Sequence, residues 1–416
     1  MKHKKIIIVS VISLITLILF NGLFFTWKIS KSKQKYDIPK VYFIGDMEGM
    51  KSKSDDRNIK VEYDDGLKKV KCYASIKVQG SSSLMYDKKN YTIKLFKDES
   101  HKNKLYYDFG FGSQTKYCLK ANWIDKTHAR NIVSAKLGAE LQKDSKRFVS
   151  SPNNGLIDGF PVEIYLNDEF LGLYTWNIPK DAWLWDLDED DEKTTVVTFN
   201  SHNEQSQFKD IITNVEDALF DVEVGNYSED LKDNVNRLIL FIRDSTDDEF
   251  RQNFDKYLDK ESSLNYVLML YILNGVDNVD KNMMLVTYDQ KLWYPSLYDL
   301  DTTFGTEWDG KNVIDYSFIP ENGDSLLWNR FIDIFKDELT ERYAYYRKAN
   351  FSKEHIMSLF KEFKDKIPEH TWQAEREKWP DAPGYDYEQI EEYLDYKLPY
   401  LDELFGINIE ESESII

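Results

Sequence analysis

The strongest constraint on the fold is a change in the spacing of apolar residues near Pro179. Before it, from Val41 to Tyr174, apolar and polar residues mostly alternate, most regularly in the stretch VKCYASIKVQ. A period of two places one set of side chains on one face of a β-strand. Beyond about residue 229 the spacing becomes helical, so the sequence predicts an α+β fold in which strands precede helices.

The N-terminus has the signature of a membrane anchor. The run from Ile6 to Trp27 contains no charged side chain, and lysines flank it on both sides. Such a run is long enough to cross a bilayer once and too long for an ordinary signal-peptide core. We predict a single-pass anchor and linker over residues 1–37, with the folded part on the extracytoplasmic side of the membrane. A cleaved signal peptide is the alternative.

The rest of the chain is predicted to form two lobes. The β-rich N-lobe covers residues 38–180, the mainly helical C-lobe covers 181–408, and a short tail covers 409–416. Within the N-lobe, NYTIKLF and KYCLKA are typical of strands, and FPVEIYLNDEFLGLYTW predicts a hairpin turning at Asn167-Asp168. A helix is predicted in DKTHARNIVSAKLGAELQKD, with Asp125 or Thr127 as its N-cap.

The C-lobe is predicted to contain a buried helix followed directly by a polar loop. SSLNYVLMLYIL is nearly all apolar and runs into NGVDNVDKN. The short strands MMLVTY and LWYPSLYD follow, joined through Asp289-Gln290, and three more helical segments reach about residue 405.

The net charge says little about binding partners, and the cysteine count says little about disulfides. The formal net charge is −19, which disfavours nucleic acid and favours basic partners, although solubility alone explains it equally well. Cys72 and Cys118 are the two cysteines, enough for one disulfide or none.

Two aspartate-containing segments point to phosphoryl transfer. Asp277 and Asn282 lie five apart in a loop between the buried helix and a strand, where Asp280 can replace Asp277. Asp299 and Asp301 follow the next hairpin, which returns the chain to the same neighbourhood. A carboxylate can accept the proton of an attacking hydroxyl, and carboxylate and amide oxygens are ligands for Mg²⁺. A divalent cation carrying a nucleotide phosphate would offset the repulsion between these carboxylates.

The N-lobe offers groups for the phosphates. Lys94 lies on the polar face of NYTIKLF, although many strand lysines only face solvent. In QGSSS, Gly80 permits close backbone approach, and Ser81 and Ser82 add hydroxyl and N–H groups; a plain hairpin loop is the alternative. The six histidines lack metal-binding spacing, and neither a G-x-S-x-G elbow nor a Walker loop is present. The sequence alone does not exclude a glycosidase that uses a pair of carboxylates.

The motifs together resemble a known family. NYTIKLF, NWIDKTHARN, VEIYLNDEFLGLY, NGVDNVDKN and YDLDTTFG, preceded by the glycine-serine loop, are similar in order and spacing to the spore coat protein H (CotH) kinases. These are atypical bilobal protein kinases. The resemblance spans about residues 70 to 305.

The resemblance implies an ATP- and Mg²⁺-dependent (or Mn²⁺-dependent) Ser/Thr protein kinase. Asp277 would be the catalytic base, Asn282 and Asp299 would bind the metal with help from Asp301, and Lys94 would contact the phosphates.

Glu140 is expected to pair with Lys94, on its placement in the predicted helix alone. Arg130 and Asn131 match the family's Arg-Asn pair, for which a structural role is expected. Gln79 stands where the family often has arginine, which weakens phosphate binding from that position.

The acidic chain suggests a basic, Ser/Thr-rich protein substrate. The rival interpretation is a cell-surface adhesion or binding module that keeps the kinase-like fold without catalysis, and a metal-dependent hydrolase is a third.

Overall fold

We analysed a computed structural model of the chain. The structure describes residues 38–80, 82–143, 147–148 and 150–408. The predicted anchor, linker and tail, together with Ser81, lie outside these residues. None of the helices in the described ranges is long and apolar enough to span a membrane.

The first part of the chain folds into a β-barrel. In chain order, the strands of this part of the chain are β1 (Lys40–Ile44), β2 (Asp56–Asp64), β3 (Lys69–Gln79), β4 (Asn90–Phe96), β5 (Tyr107–Asp108), β6 (Ser113–Gln114), β7 (Lys116–Lys120), β8 (Gly159–Leu166) and β9 (Glu169–Asn177). The barrel order is β1-β2-β3-β4-β7-β9-β8, and parallel pairing of β8 with β1 closes it. The remaining two strands, β5 and β6, pair only with each other.

Alternating burial on β1 to β4 builds much of the barrel core. On β3, Cys72, Ala74 and Ile76 point inward, and Ile76 lies directly opposite the fully buried Ile93 of β4. Closure of the barrel requires inward and outward side chains to alternate along every strand, which explains the regular pattern of the sequence. The predicted hairpin is also confirmed, since Asn167 and Asp168 both have positive φ angles between β8 and β9.

A second antiparallel sheet follows the barrel in the chain. Its strands are β10 (Thr195–Phe199), β11 (Asp221–Val224), β12 (Met283–Thr287) and β13 (Trp293–Leu297), in the order β11-β10-β12-β13. The hairpin of β12 and β13 confirms the prediction, whereas β10 and β11 were not predicted. All residues of β10 are buried, so its sequence lacks the alternation that marks a half-buried strand.

The rest of the described chain contains nine α-helices. They are α1 (Arg130–Gln142), α2 (Glu229–Asp244), α3 (Asp247–Asn253), α4 (Lys260–Leu273), α5 (Leu326–Ile334), α6 (Lys336–Arg347), α7 (Lys353–Lys364), α8 (Glu369–Lys378) and α9 (Tyr387–Leu404). The prediction of three helical segments after β13 is therefore wrong, because α5 to α9 occupy that region. Only Phe335 separates α5 from α6, so two helices resemble one in the sequence.

The apolar residues form two cores. One fills the barrel, and the other lies among the helices and the second sheet. Helix α1 belongs to the second core through Ile132 and Leu137, although it lies within the predicted N-lobe range. The predicted α4 is confirmed as a buried helix, with every residue from Ser262 to Leu273 buried.

Buried polar contacts hold α1 in place. The helix begins later than predicted, and Ala129 at its N-cap provides no side-chain cap. Asp125 instead accepts a hydrogen bond from the backbone N–H of Arg130 at 2.9 Å and forms an ion pair with its guanidinium. The same guanidinium donates to Gln389 on α9 at 2.5 Å. These contacts confirm the structural role expected for Arg130.

Another buried ion pair joins α8 to the barrel. Lys88 is 2% exposed, and its Nζ lies 2.6 Å from Oε1 of Glu375 on α8. Glu375 also accepts a hydrogen bond from the backbone N–H of Leu173 on β9 at 2.7 Å. Both charges are removed from water, so each depends on the other.

We predict that Glu375→Ala destabilises the protein strongly. The substitution leaves the ammonium of Lys88 buried without its carboxylate and should lower the free energy of unfolding by about 3–5 kcal/mol. Urea unfolding followed by circular dichroism measures this change. Glu377→Ala, on the exposed side of the same helix, is the control and should change stability by no more than about 0.5 kcal/mol. Equal losses in the two variants would contradict the prediction.

Candidate active site

A cleft of about 490 Å³ lies where the barrel meets the second sheet and its loops. The barrel side is lined by Lys77, Gln79, Gly80, Thr92, Lys116 and Lys120. The opposite side carries the acidic and amide side chains of the cleft, together with two lysines that pair with them: Asp221, Glu223, Asp277, Asn282, Asp299, Asp301, Lys180 and Lys281. The structure thus brings together the four acidic and amide side chains that the sequence predicted to converge.

The loop that carries Asp277 is fixed by the helix before it and the strand after it. Helix α4 ends at Asn274, which adopts a left-handed conformation. Asp277–Val279 then forms one turn of 3₁₀ helix. Asn278 is the link to the second acidic segment: its Nδ2 donates to the carbonyl of Tyr298 at 2.9 Å, and its own carbonyl accepts from the hydroxyl of Tyr266 at 2.7 Å.

Helix α1 positions the segment that carries Asp299 and Asp301. Asp299 has a φ of +56°, a conformation that few residues other than glycine adopt and that aspartate tolerates. The next backbone N–H, that of Leu300, donates to Oδ1 of Asn131 on α1 at 3.1 Å. Asn131 therefore has a definite structural task, consistent with the role expected for it.

The carboxylates of this segment require positive charge. Burial, and then the neighbouring charges of Asp299 and Asp277, raise the pKa of Asp301 to about 7. On the barrel side, Nζ of Lys120 lies 3.1 Å from Oδ1 of Asp299. Burial acts to lower the pKa of Lys120, but Asp299, with Tyr298 and Asp301, holds it well above the ordinary value. Lys120 is thus a cation at neutral pH.

Asp277 contacts two basic side chains. Nζ of Lys281 lies 3.0 Å from Oδ2 of Asp277, and Nε2 of His202 lies 3.6 Å from Oδ1. Burial raises the pKa of Asp277, but His202 and Lys281 together outweigh it, and the pKa stays below the ordinary value. Sequence reasoning did not single out His202. It follows the fully buried β10 in a polar segment that has no recognisable motif.

The structure does not place Lys94 in the cleft. Thr92 lines the cleft, whereas Lys94 is two residues further along the same face of β4, opposite Lys116 of β7 and Ser75 of β3. Among the barrel lysines, Lys120 of β7 reaches the acidic segment instead. The expectation that Lys94 faces the cleft was wrong because the strand register, not the local pattern, decides which lysine does.

Glu140 does not pair with Lys94 either. It lies near the C-terminal end of α1, where Oε2 is 2.7 Å from Nε2 of His355 and accepts a hydrogen bond from Nδ2 of Asn350 at 2.8 Å. Helical spacing alone predicted this pairing, and the helix directs that position toward α7 rather than toward the barrel.

The glycine-serine loop does border the cleft. Gly80 lines it with a φ of +116°, and a Cβ atom there would lie 1.8 Å from Oγ of Ser83, so glycine is required. Ser82–Met85 forms a short 3₁₀ helix rather than an open hairpin loop, and Ser81 lies outside the described residues. Gln79 also lines the cleft, and its Oε1 is buried without a hydrogen-bond partner among the described residues.

Comparison with known proteins identifies the family. The family model described as CotH kinase protein matches residues 76–401, which include every acidic residue of the cleft. The match covers well over half of the chain, so this protein belongs to the CotH kinase family. Membership indicates a kinase-like protein and suggests the use of ATP and a divalent metal. No curated protein matched the sequence.

The chemistry of the cleft fits a hard divalent cation. Within the described ranges, no group of three or more His, Cys, Asp or Glu side chains is arranged to hold a metal ion. The cleft instead combines the carboxylates of Asp299 and Asp301 with the amide of Asn282, and oxygen ligands of this kind suit Mg²⁺ and Mn²⁺. Burial, and then the charge of Asp299, raises the pKa of Asp301, and a cation bound beside it would favour its ionised form.

We predict that Asn131→Leu destabilises the Asp299 segment. The substitution leaves the buried N–H of Leu300 without its acceptor and should lower the free energy of unfolding by about 1–3 kcal/mol. Gln142→Leu, on the same helix, is the matched control. Its Oε1 is already buried without a hydrogen-bond partner in the described part of the chain, so leucine should cost less there. Urea unfolding compares the two, and a larger loss for Gln142→Leu would refute the assignment.

Proposed function

We propose that this protein is an ATP- and Mg²⁺-dependent protein kinase that transfers the γ-phosphate to a Ser or Thr hydroxyl. The barrel would serve as the N-lobe and the helical part as the C-lobe of a bilobal kinase-like fold. The supporting observation is the convergence of Asp277, Asn282, Asp299 and Asp301 opposite Lys120 in one cleft, in a chain that belongs to the CotH kinase family.

The two sides of the cleft would bind different parts of the nucleotide complex. Asn282, Asp299 and Asp301 would hold Mg²⁺ or Mn²⁺, and a bound ion would neutralise charge on the phosphates. Lys120 is the better candidate than Lys94 for contacting the phosphates, because it lines the cleft and lies 3.1 Å from Asp299. The other lysines of the barrel side, with the N–H of Gly80, would add favourable charge and hydrogen bonds.

Asp277 would orient the acceptor and take its proton. As the acceptor oxygen bonds to the γ-phosphorus, the bond from that phosphorus to ADP breaks, and the hydroxyl proton passes to Asp277. The lowered pKa of Asp277 keeps it ionised before transfer, as this role requires. Asp277 lines the cleft together with the proposed metal ligands, as in-line attack demands.

The substrate would be a basic, Ser/Thr-rich protein. The chain carries a formal net charge of −19, and Asp221 and Glu223 of β11 extend the acidic side of the cleft. Electrostatic attraction would concentrate a basic acceptor near such a surface.

A non-catalytic surface module is the second candidate. The uncharged run from Ile6 to Trp27 favours a membrane anchor with the folded part outside the cell, where ATP is scarce. In that case the fold would serve binding or adhesion.

We predict that the full-length protein, in detergent, labels a basic Ser-rich peptide with the γ-phosphate of ATP in the presence of Mg²⁺. Asp277→Ala and Asp299→Ala should lower kcat by at least about 100-fold, because each removes a group needed for transfer. Lys120→Met should raise the KM for ATP, whereas the matched variant Lys94→Met should change it little.

The outcomes separate the candidates. Equal labelling by the parent and both aspartate variants would remove the kinase proposal, and so would release of free phosphate without labelled peptide, which indicates a hydrolase. A larger effect of Lys94→Met than of Lys120→Met would return the phosphate contact to Lys94.

A further inference from the structure

His202 reaches the predicted catalytic loop from a distant part of the chain. It lies three residues after the end of β10. Its Nδ1 lies 2.5 Å from Oδ1 of Asp280, and its Nε2 lies 3.6 Å from Oδ1 of Asp277. One imidazole ring therefore spans the two carboxylates of the loop.

The same segment also holds the second oxygen of Asp280. Nε2 of Gln207 donates to Oδ2 of Asp280 at 3.0 Å. Asp280 is 4% exposed, and a buried carboxylate needs such partners to offset its desolvation. Side chains of the segment after β10 thus hold the loop that contains Asp277 and Asp280. Asn278, within that loop, holds it to the carbonyl of Tyr298.

The charges around the ring favour its protonated form. Asp277 and Asp280 face His202, while Lys281 faces the other oxygen of Asp277. The contacts with Asp277 and Asp280 raise the pKa of His202 to about 9. At neutral pH, Asp277 therefore lies between two cations, one near each oxygen.

We propose that His202 is a positioning residue for phosphoryl transfer, which keeps Asp277 ionised and in a fixed orientation toward the acceptor hydroxyl. This inference rests on the proposed kinase function. The separation of 3.6 Å is too long for a hydrogen bond, so Oδ1 of Asp277 retains a lone pair for the hydroxyl proton. Lys281 contacts Oδ2 at 3.0 Å, so Oδ1 is the less occupied of the two oxygens and the better placed to accept the proton.

His202→Gln in the full-length chain tests the proposal, because glutamine keeps a donor but removes the charge. We expect kcat to fall by roughly 10- to 100-fold with little change in the KM for ATP, since orientation of the acceptor is lost. Loss of the cation raises the pKa of Asp277, so the acid limb of kcat/KM should move up by about 1 pH unit. The alkaline limb expected near the pKa of His202, about 9, should disappear.

Two further variants complete the test. His355→Gln removes another histidine that contacts a carboxylate, that of Glu140, and should keep the parent's kcat and pH profile. His202→Lys keeps a cation and should retain the parent's acid limb. The thermal midpoints of the variants check that each protein is folded.

The failures are distinguishable. A parent chain that transfers no phosphate overturns the proposed function and the role of His202 with it. A parent that transfers phosphate, with a His202→Gln variant of parental pH profile, overturns only the role of His202. An equal shift of the acid limb in His202→Lys and His202→Gln overturns it as well, because charge would not be the cause.

Discussion

The ammonium of Lys120 is the positive charge on which the geometry of the cleft depends. It comes from the barrel and lies 3.1 Å from Asp299, which belongs to the other side. Like charges at about 4 Å repel by roughly 4 kcal/mol at an effective dielectric constant of 20, so neighbouring carboxylates cannot be collected there without compensation. Burial is the main cause of the raised pKa of Asp301 and the charge of Asp299 is the second, while Lys120 acts in the opposite direction. A site built in this way favours a further cation.

Two asparagines hold the acidic segments of the cleft in position through hydrogen bonds to the backbone. Asn278 joins the loop of Asp277 to the carbonyl of Tyr298, and Asn131 of α1 holds the N–H of Leu300. The two acidic segments are therefore held by side chains outside the set proposed to perform the chemistry. Because α1 and α4 both pack in the helical core, the positions of the carboxylates follow from the burial of apolar residues remote from the cleft.

The spacing of apolar residues predicted those features of the fold that depend on neighbouring residues in the chain. The alternation in β3, the largely apolar α4 and the hairpin of β12 and β13 could be recognised, and with them the convergence of Asp277 and Asp299. Which of Lys94 and Lys120 lines the cleft could not be predicted. Both lie on the polar faces of neighbouring strands, and only the strand register distinguishes their positions. The contact of His202 with Asp277 could not be found either, because 75 residues of chain separate the two.

The two cysteines of the barrel do not form a disulfide. Cys72 and Cys118 are both free and buried. Burial raises the pKa of both thiols, that of Cys72 to about 11, so very little reactive thiolate is present at neutral pH. The barrel is closed by strand pairing alone and needs no covalent bridge. Formation of the barrel therefore requires neither an oxidant nor a disulfide isomerase to join these two cysteines.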